Sequence, residues 1–285
     1  MFSKDKIIEL KKYGKVTYDG NRIIVYVKER IVYKYNNKVL PCEGLEEQQV
    51  YFIFDGIYFP ANTCISGKNA HLIFRNCTFT QSIKVERAKY IEMSNNKYYF
   101  FGPEDNYIDL TANEIKINKD NLTNAYFAKD FDERPVNMSL IGETIKLFSS
   151  TICSEYGGHI NIMADYLFLH DSSIRGPYVN LTADDITTKN SVIKTTDGIT
   201  IDNKNCNFNC AIKSPITIYN GIKLNSSNSE IINIDNEKAK LLEHRVLLIQ
   251  TLHKMEMNCI KENSAILSRI QGNLRNRSVA RVLKK

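Results

Sequence analysis

Residues 160–174 read INIMADYLFLHDSSI, residues 179–193 read VNLTADDITTKNSVI and residues 108–122 read IDLTANEIKINKDNL. The three align without a gap as apolar, x, apolar, x, small, x, x, apolar, x, apolar, followed by a polar cluster and one more apolar residue. The small position is Ala112, Ala164 and Ala183. Residues 199–210 (ITIDNKNCNFNC) keep the spacing with Asn203 in that position, and looser copies with a slip or an insertion begin at Ile83, Val136 and Ile216. Polar pairs recur at about the same distance after the second apolar pair: Asn76-Cys77, Asn95-Asn96, Ser149-Ser150, Ser172-Ser173, Asn190-Ser191 and Ser226-Ser227.

Alternation with period two marks half-buried strands, so each unit holds two short strands joined at a corner, and helical repeats are excluded. A unit of roughly 19 to 24 residues closes one turn of a parallel β-helix, whose coils stack about 4.8 Å apart and bury their inward side chains in ladders. Asn and Ser suit the corners, because they hydrogen-bond to backbone and Asn tolerates the left-handed conformation. The expectation is an all-β chain of roughly eight to ten such coils. The competing reading, an antiparallel sandwich, needs hairpin turns, and between the repeats the Asp-Gly signals are Asp55-Gly56 and Asp197-Gly198.

Through these alternating strands and Asn/Ser corners, residues 50–235 resemble the right-handed parallel β-helix proteins of the pectin-lyase-like superfamily. The resemblance is architectural, and that architecture serves polysaccharide lyases and hydrolases, phage tailspikes, adhesins and cytoskeletal polymers, so it leaves function open. The superfamily's pectin-cleaving hydrolases carry Asn-x-Asp, Asp-Asp, Gly-His-Gly and Arg-x-Lys in that order. Here Asp184-Asp185 is present, but Gly158-His159 precedes it and is followed by Ile160.

The ends depart from the repeat. Residues 1–49 are read as an N-terminal β cap with a short helix and a hairpin, residues 22–40 forming a hairpin around Asn36-Asn37 or the first strands, because an exposed end coil would invite edge-to-edge growth. Residues 236–285 switch to helical spacing, with Leu241, Leu248, Leu252, Met255, Cys259, Ile266, Ile270 and Leu274 on one stripe and Leu242, Val246, Ile249, Ile260 and Leu267 on a second. An apolar surface that wide predicts a C-terminal α-helical appendage that contacts a second protein surface, most simply its own copy.

The 285-residue chain carries a net charge of +6, all of it beyond Glu262. There Arg269, Arg275, Arg277, Arg281, Lys284 and Lys285 stand without an acidic residue. This basic tail suits an acidic protein or nucleic acid, or simply a helix end whose dipole favours cations. No stretch is long and apolar enough for a membrane helix, and the charged start MFSKDKIIELKK lacks the apolar run of a secretory signal. The expected location is therefore the cytoplasm, with incorporation into a viral or phage particle in view. The seven scattered cysteines are read as reduced thiols.

No HExxH, CxxC, GxSxG, GxGxxG or phosphate-loop pattern occurs, so no catalytic residue, metal or cofactor is assigned. Asp165 and Asp184 share a repeat position and should lie one coil apart. Two insertions, residues 97–107 and 123–135, leave consecutive coils after the polar cluster. They place Tyr98, Tyr99, Phe100, Phe101, Tyr126, Phe127 and Phe131 beside Asp130, Asp132 and Glu133 as a projecting patch for a glycan or a protein. The alternative is that the rings fold back over the solenoid wall. The resulting expectation is a non-enzymatic β-solenoid that is a structural or binding component of a larger assembly; the alternative is a carbohydrate-active or polysaccharide-binding protein.

Overall fold

The computed structural model describes residues 4–34, 37–100, 106–123, 136–154, 158–220, 222–225 and 231–233. The chain divides into two units, Met1–Asn236 and Glu237–Lys285. The anticipated C-terminal helix and the six-cation tail fall in the second unit, outside the described residues.

The first unit is a parallel β-solenoid of about seven turns, fewer than the eight to ten expected. Strands Ile83–Ser94, Asn106–Asn118, Val136–Phe148 and His159–His170 stack in parallel, with one register shift between Leu110 and Ala112 against the first of them, and His159–His170 pairs in parallel with the strand Ser173–Lys213. Their parity shows how each coil turns. In Val136–Phe148 the buried residues are Val136, Met138 and Leu140, then Ile145 and Leu147. The inward side thus changes from even to odd numbers across residues 142–144, where the strand rounds a corner from one face to the next. Short third strands such as Asn121–Thr123 and Thr151–Cys153 pair in parallel and complete the coil.

Alanine and glycine mark the first corner of several coils. Ala88 pairs with Ala112, Gly142 with Ala164, and Ala164 with Ala183, so the aligned alanines do form one ladder. It marks the bend and not the centre of the core, since Ala164 is half-buried while Ala112 and Ala183 are buried. Crowding explains the composition: a Cβ on Gly142 would lie 2.5 Å from the carbonyl oxygen of Ala112.

The second corner is a column of left-handed residues. Gly56, Asn76, Asn95, Lys119, Ser149, Asp171 and Asn190 all have positive φ, one per coil. Asp55-Gly56 is therefore a coil corner and not a hairpin turn. Each corner from Asn76 onward is followed by a buried polar or thiol residue: Cys77, Asn96, Asp120, Ser150, Ser172 and Ser191. These hydrogen-bond from coil to coil. Asn96 Oδ1 accepts from the Cys77 amide and its Nδ2 donates to Asp120 Oδ2 at 2.6 Å. Ser150, Ser172 and Ser191 each accept the amide of the preceding member of the column and donate to a local carbonyl. An internal polar column is tolerated because nearly every member is paired, leaving little desolvation cost uncompensated.

Apolar ladders fill the rest of the interior. Phe54, Phe74, Met93, Ile117, Leu147 and Leu169 form one, with Phe54 and Phe74 stacked at 4.6 Å. Ile65, Val85, Leu110, Leu140, Ile162 and Leu181 form another. Burying each such side chain contributes roughly 1.5–3 kcal/mol, and the parallel stacking repeats that gain in every coil.

At the N-terminal end lie α1 (Lys4–Lys11), β1 (Gly14–Asp19), β2 (Arg22–Val27) and α2 (Glu29–Lys34). The hairpin sits elsewhere than anticipated. It joins β1 and β2 through Gly20, whose φ of 58° supplies the turn, and the segment expected to lead into the Asn36-Asn37 turn includes α2. β2 then pairs in parallel with Gln49–Asp55, and Leu10, Ile23 and Val25 are fully buried under the cap. At the other end Thr217–Tyr219 pairs antiparallel with Ile222–Asn225, and Ile231–Asn233 pairs antiparallel with residues 211–213.

Candidate binding wall

The outward residues of the first face form rows along the solenoid. Tyr107, Asn137, His159 and Tyr178 stand in one row; Lys84, Asp109, Ser139, Asn161 and Asn180 stand in the next. Strand geometry dictates this, because every second side chain points out and the parallel register sets equivalent positions about 4.8 Å apart. The wall is held by its own bonds. Asn180 Nδ2 donates to Asn161 Oδ1 at 3.0 Å, Asn137 Oδ1 accepts the His159 amide at 3.0 Å, and Tyr178 and Thr200 share a 2.7 Å hydroxyl contact. The His159 and Tyr178 rings meet edge-on at 5.7 Å. Partial burial raises the Asp109 carboxyl above its ordinary range, against the opposing pull of Lys84. Such a surface offers regularly spaced amide, hydroxyl and ring edges to a ligand with hydroxyl or peptide groups.

The described residues that follow the two insertions belong to the strands of this wall. Segment 101–105 leads into Asn106 and segment 124–135 leads into Val136, and Asn106 pairs directly with Val136. The described residues that follow the two insertions are therefore neighbours. Of the anticipated patch, Phe101, Tyr126, Phe127, Phe131, Asp130, Asp132 and Glu133 lie outside the described residues.

Tyr98 and Phe100 do not project. They are 2% and 4% exposed, Tyr98 stacks on Phe79 at 5.5 Å, and its hydroxyl lies 3.4 Å from Asp120 Oδ2. The chain is still in its coil there: Lys97–Tyr98 pairs in parallel with Thr78–Phe79, and the Tyr99 amide donates to the Phe79 carbonyl. The stack of Phe59 on Phe79 continues through Tyr98 on the next coil. Tyr99 remains partly exposed.

Other sequence candidates resolve as wall or core. Asp165 and Asp184 occupy matching positions, but Asp184 is held by Lys204 at 2.7 Å. Asp55 pairs with Arg75, Glu92 with Lys116 and Glu114 with Lys146, so many outer carboxylates face a cation on the next coil. Burial pushes the Cys42, Cys77 and Cys210 thiols up to about 12, which keeps them protonated and unreactive. A cleft of about 480 Å³ beside α1 is lined by Lys6, Glu9, Leu40, Glu43, Glu46 and Lys68, and its Lys6 and Glu9 pair with each other at 3.2 Å.

Sequence reading missed an exposed aromatic group on the second face, made of Phe148, Tyr166, Phe168 and His170. Its signal was present in YLFLH, where rings fill the outward positions between inward leucines. Among the described residues no helix is long and apolar enough to cross a membrane, and no group of three His, Cys, Asp or Glu is placed to hold a metal ion. No family model, no curated protein and no solved structure matches this chain.

Proposed function

We propose that this chain is a non-enzymatic β-solenoid acting as a structural or binding component of a larger assembly, of the kind found in viral and phage particles. The observation that carries the reading is the first-face wall, a rigid array of Tyr107, Asn137, His159, Asn161, Tyr178 and Asn180 with two insertions entering beside it. Strands pre-organise those groups, so a partner binds without the wall first having to order. Asp55, Glu92 and Glu114 on the outer surface are each paired with a cation on the next coil, which suits a solvated scaffold. The basic tail would add an acidic partner.

A second reading, a polysaccharide binder or carbohydrate-active protein of the pectin-lyase-like fold, is favoured by the wall's mostly uncharged donors and acceptors and by its exposed Tyr and His edges. One experiment on the full chain tests both. Cross-linking of the purified native complex should place protein cross-links on Lys84 and around the wall, and Tyr178→Ala with Asn161→Ala should weaken that capture about tenfold or more. Retention on neutral polysaccharide that these substitutions abolish would favour the second reading. Release of new reducing ends, lost in Asp109→Asn, would sink the non-enzymatic reading.

A further inference from the structure

The aromatic group on the second face stands on straight, parallel-paired strands. Tyr166, Phe168 and His170 are successive outward residues of one coil, and Phe148 of the preceding coil lies 5.5 Å from Phe168 and 6.3 Å from His170. Tyr166 is 57% exposed, and the other three are part-exposed. On the following coil the same three rows carry Asp185, Thr187 and Lys189.

We propose that this face is where two copies of the chain associate, about a two-fold axis that runs along the solenoid and passes over Phe168. Such an axis keeps each coil opposite itself and reverses the order of the rows. Phe168 then meets the partner's Phe168, and Tyr166 meets the partner's His170. Asp185 meets the partner's Lys189, while Lys189 meets the partner's Asp185. The order acid, neutral, base across one outward row is thus self-complementary, which an isologous interface requires. The acid and base are four residues apart, about 13 Å, so the two ion pairs flank the ring cluster instead of crowding it. A two-fold parallel to the strands would set Asp185 and Lys189 against Thr144 and Phe148 and would form neither pair.

The neighbouring lysines do not oppose the arrangement. Lys146 is held by Glu114 at 2.8 Å and Lys116 by Glu92 at 3.6 Å, so the cations nearest the axis are already compensated. Rings on a rigid sheet are strong interface anchors, because little side-chain freedom is lost when they are covered. The proposal stands apart from whatever occupies the polar wall, which lies on a different face.

Light scattering on the full chain over a micromolar concentration series should give the mass of a dimer. Phe168→Asp should weaken the dimer about tenfold or more. Its circular dichroism should be unchanged, because the side chain points outward. Asp185→Lys alone should also weaken it, by setting a second cation against the partner's Lys189, and Asp185→Lys combined with Lys189→Asp should restore the dimer. A chain that stays monomeric across the series overturns the proposal. So does an oligomer indifferent to Phe168→Asp, or a double reversal no tighter than the single one. Partner capture by the wall should be unaffected by all three variants, which separates this result from the fate of the functional reading.

Discussion

His71 and Asp120 are two buried ionisable groups shifted in opposite directions. His71 sits 8% exposed between the Tyr51 and Tyr90 rings, its Nε2 without a hydrogen bond, and burial followed by nearby Lys89 lowers its pKa to about 4. Asp120 is fully buried in the polar column, and burial raises it to about 6 despite the bond from Asn96. Between about pH 4 and 6 the unfolded chain protonates His71 where the folded chain does not, so this group makes stability rise with pH. Over the same window the folded chain holds a proton on Asp120 that the unfolded chain releases, so this group makes stability fall with pH. Each slope is about 1.4 kcal/mol per pH unit, and the two nearly cancel. Chemical denaturation across pH should therefore be nearly flat for these two groups in the parent chain. In His71→Gln, stability should fall from pH 4 to 6; in Asp120→Asn, it should rise. Parallel profiles for all three proteins would show that the two groups do not titrate as their burial requires.

At the scale of the element, the column of left-handed corners is built mainly from Asn, Asp and Gly, the residues that tolerate positive φ. Ser149 and Lys119 are the departures, and Lys119, with φ of 51°, carries the longer side chain, which gains nothing from that conformation while its Cβ meets the steric cost common to L-residues. Lys119→Gly should stabilise by up to about 1 kcal/mol, offset in part by the greater freedom of glycine in the unfolded chain. A thermal melt checks it, and a lower melting temperature would mean that the lysine stem contributes packing at the corner. At the N-terminus the expected short helix and hairpin are both present, but the hairpin lies elsewhere than expected. Strong alternation in residues 22–40 favoured strands throughout, yet Glu29–Lys34 forms a helix and Gly20 makes the hairpin turn. In short segments period alone does not separate a strand from one and a half turns of helix, and tertiary contact decides.

The first unit behaves as a stack whose coils touch mainly their neighbours, and this modularity can be tested by excision. Ser172 and Ser191 are equivalent members of the polar column, linked from amide to hydroxyl. Removing residues 172–190 joins Asp171 to Ser191 and takes out one whole coil. That protein should fold with a cooperative melt, whereas removal of 172–189, one residue fewer, inverts which side chains face inward at the joint and should cost several kcal/mol. Equal stability of the two deletions, measured by urea unfolding, would contradict a coil-by-coil core.

The repeat in residues 108–122, 160–174 and 179–193 determined the solenoid, because period-two burial and a corner of Ala and Asn can be satisfied together only by coils stacked in register. It also located both corners and the internal polar column. What it could not determine was which aromatic rings face outward. Tyr98 and Phe100 lie beside an insertion and are core, while Phe148, Phe168 and Tyr166 lie inside regular repeats and face out. A ring's hydrophobicity is the same in either place. Its direction is set by strand parity after the corner and by the ring stacked on the adjacent coil, and both are properties of the assembled tertiary structure.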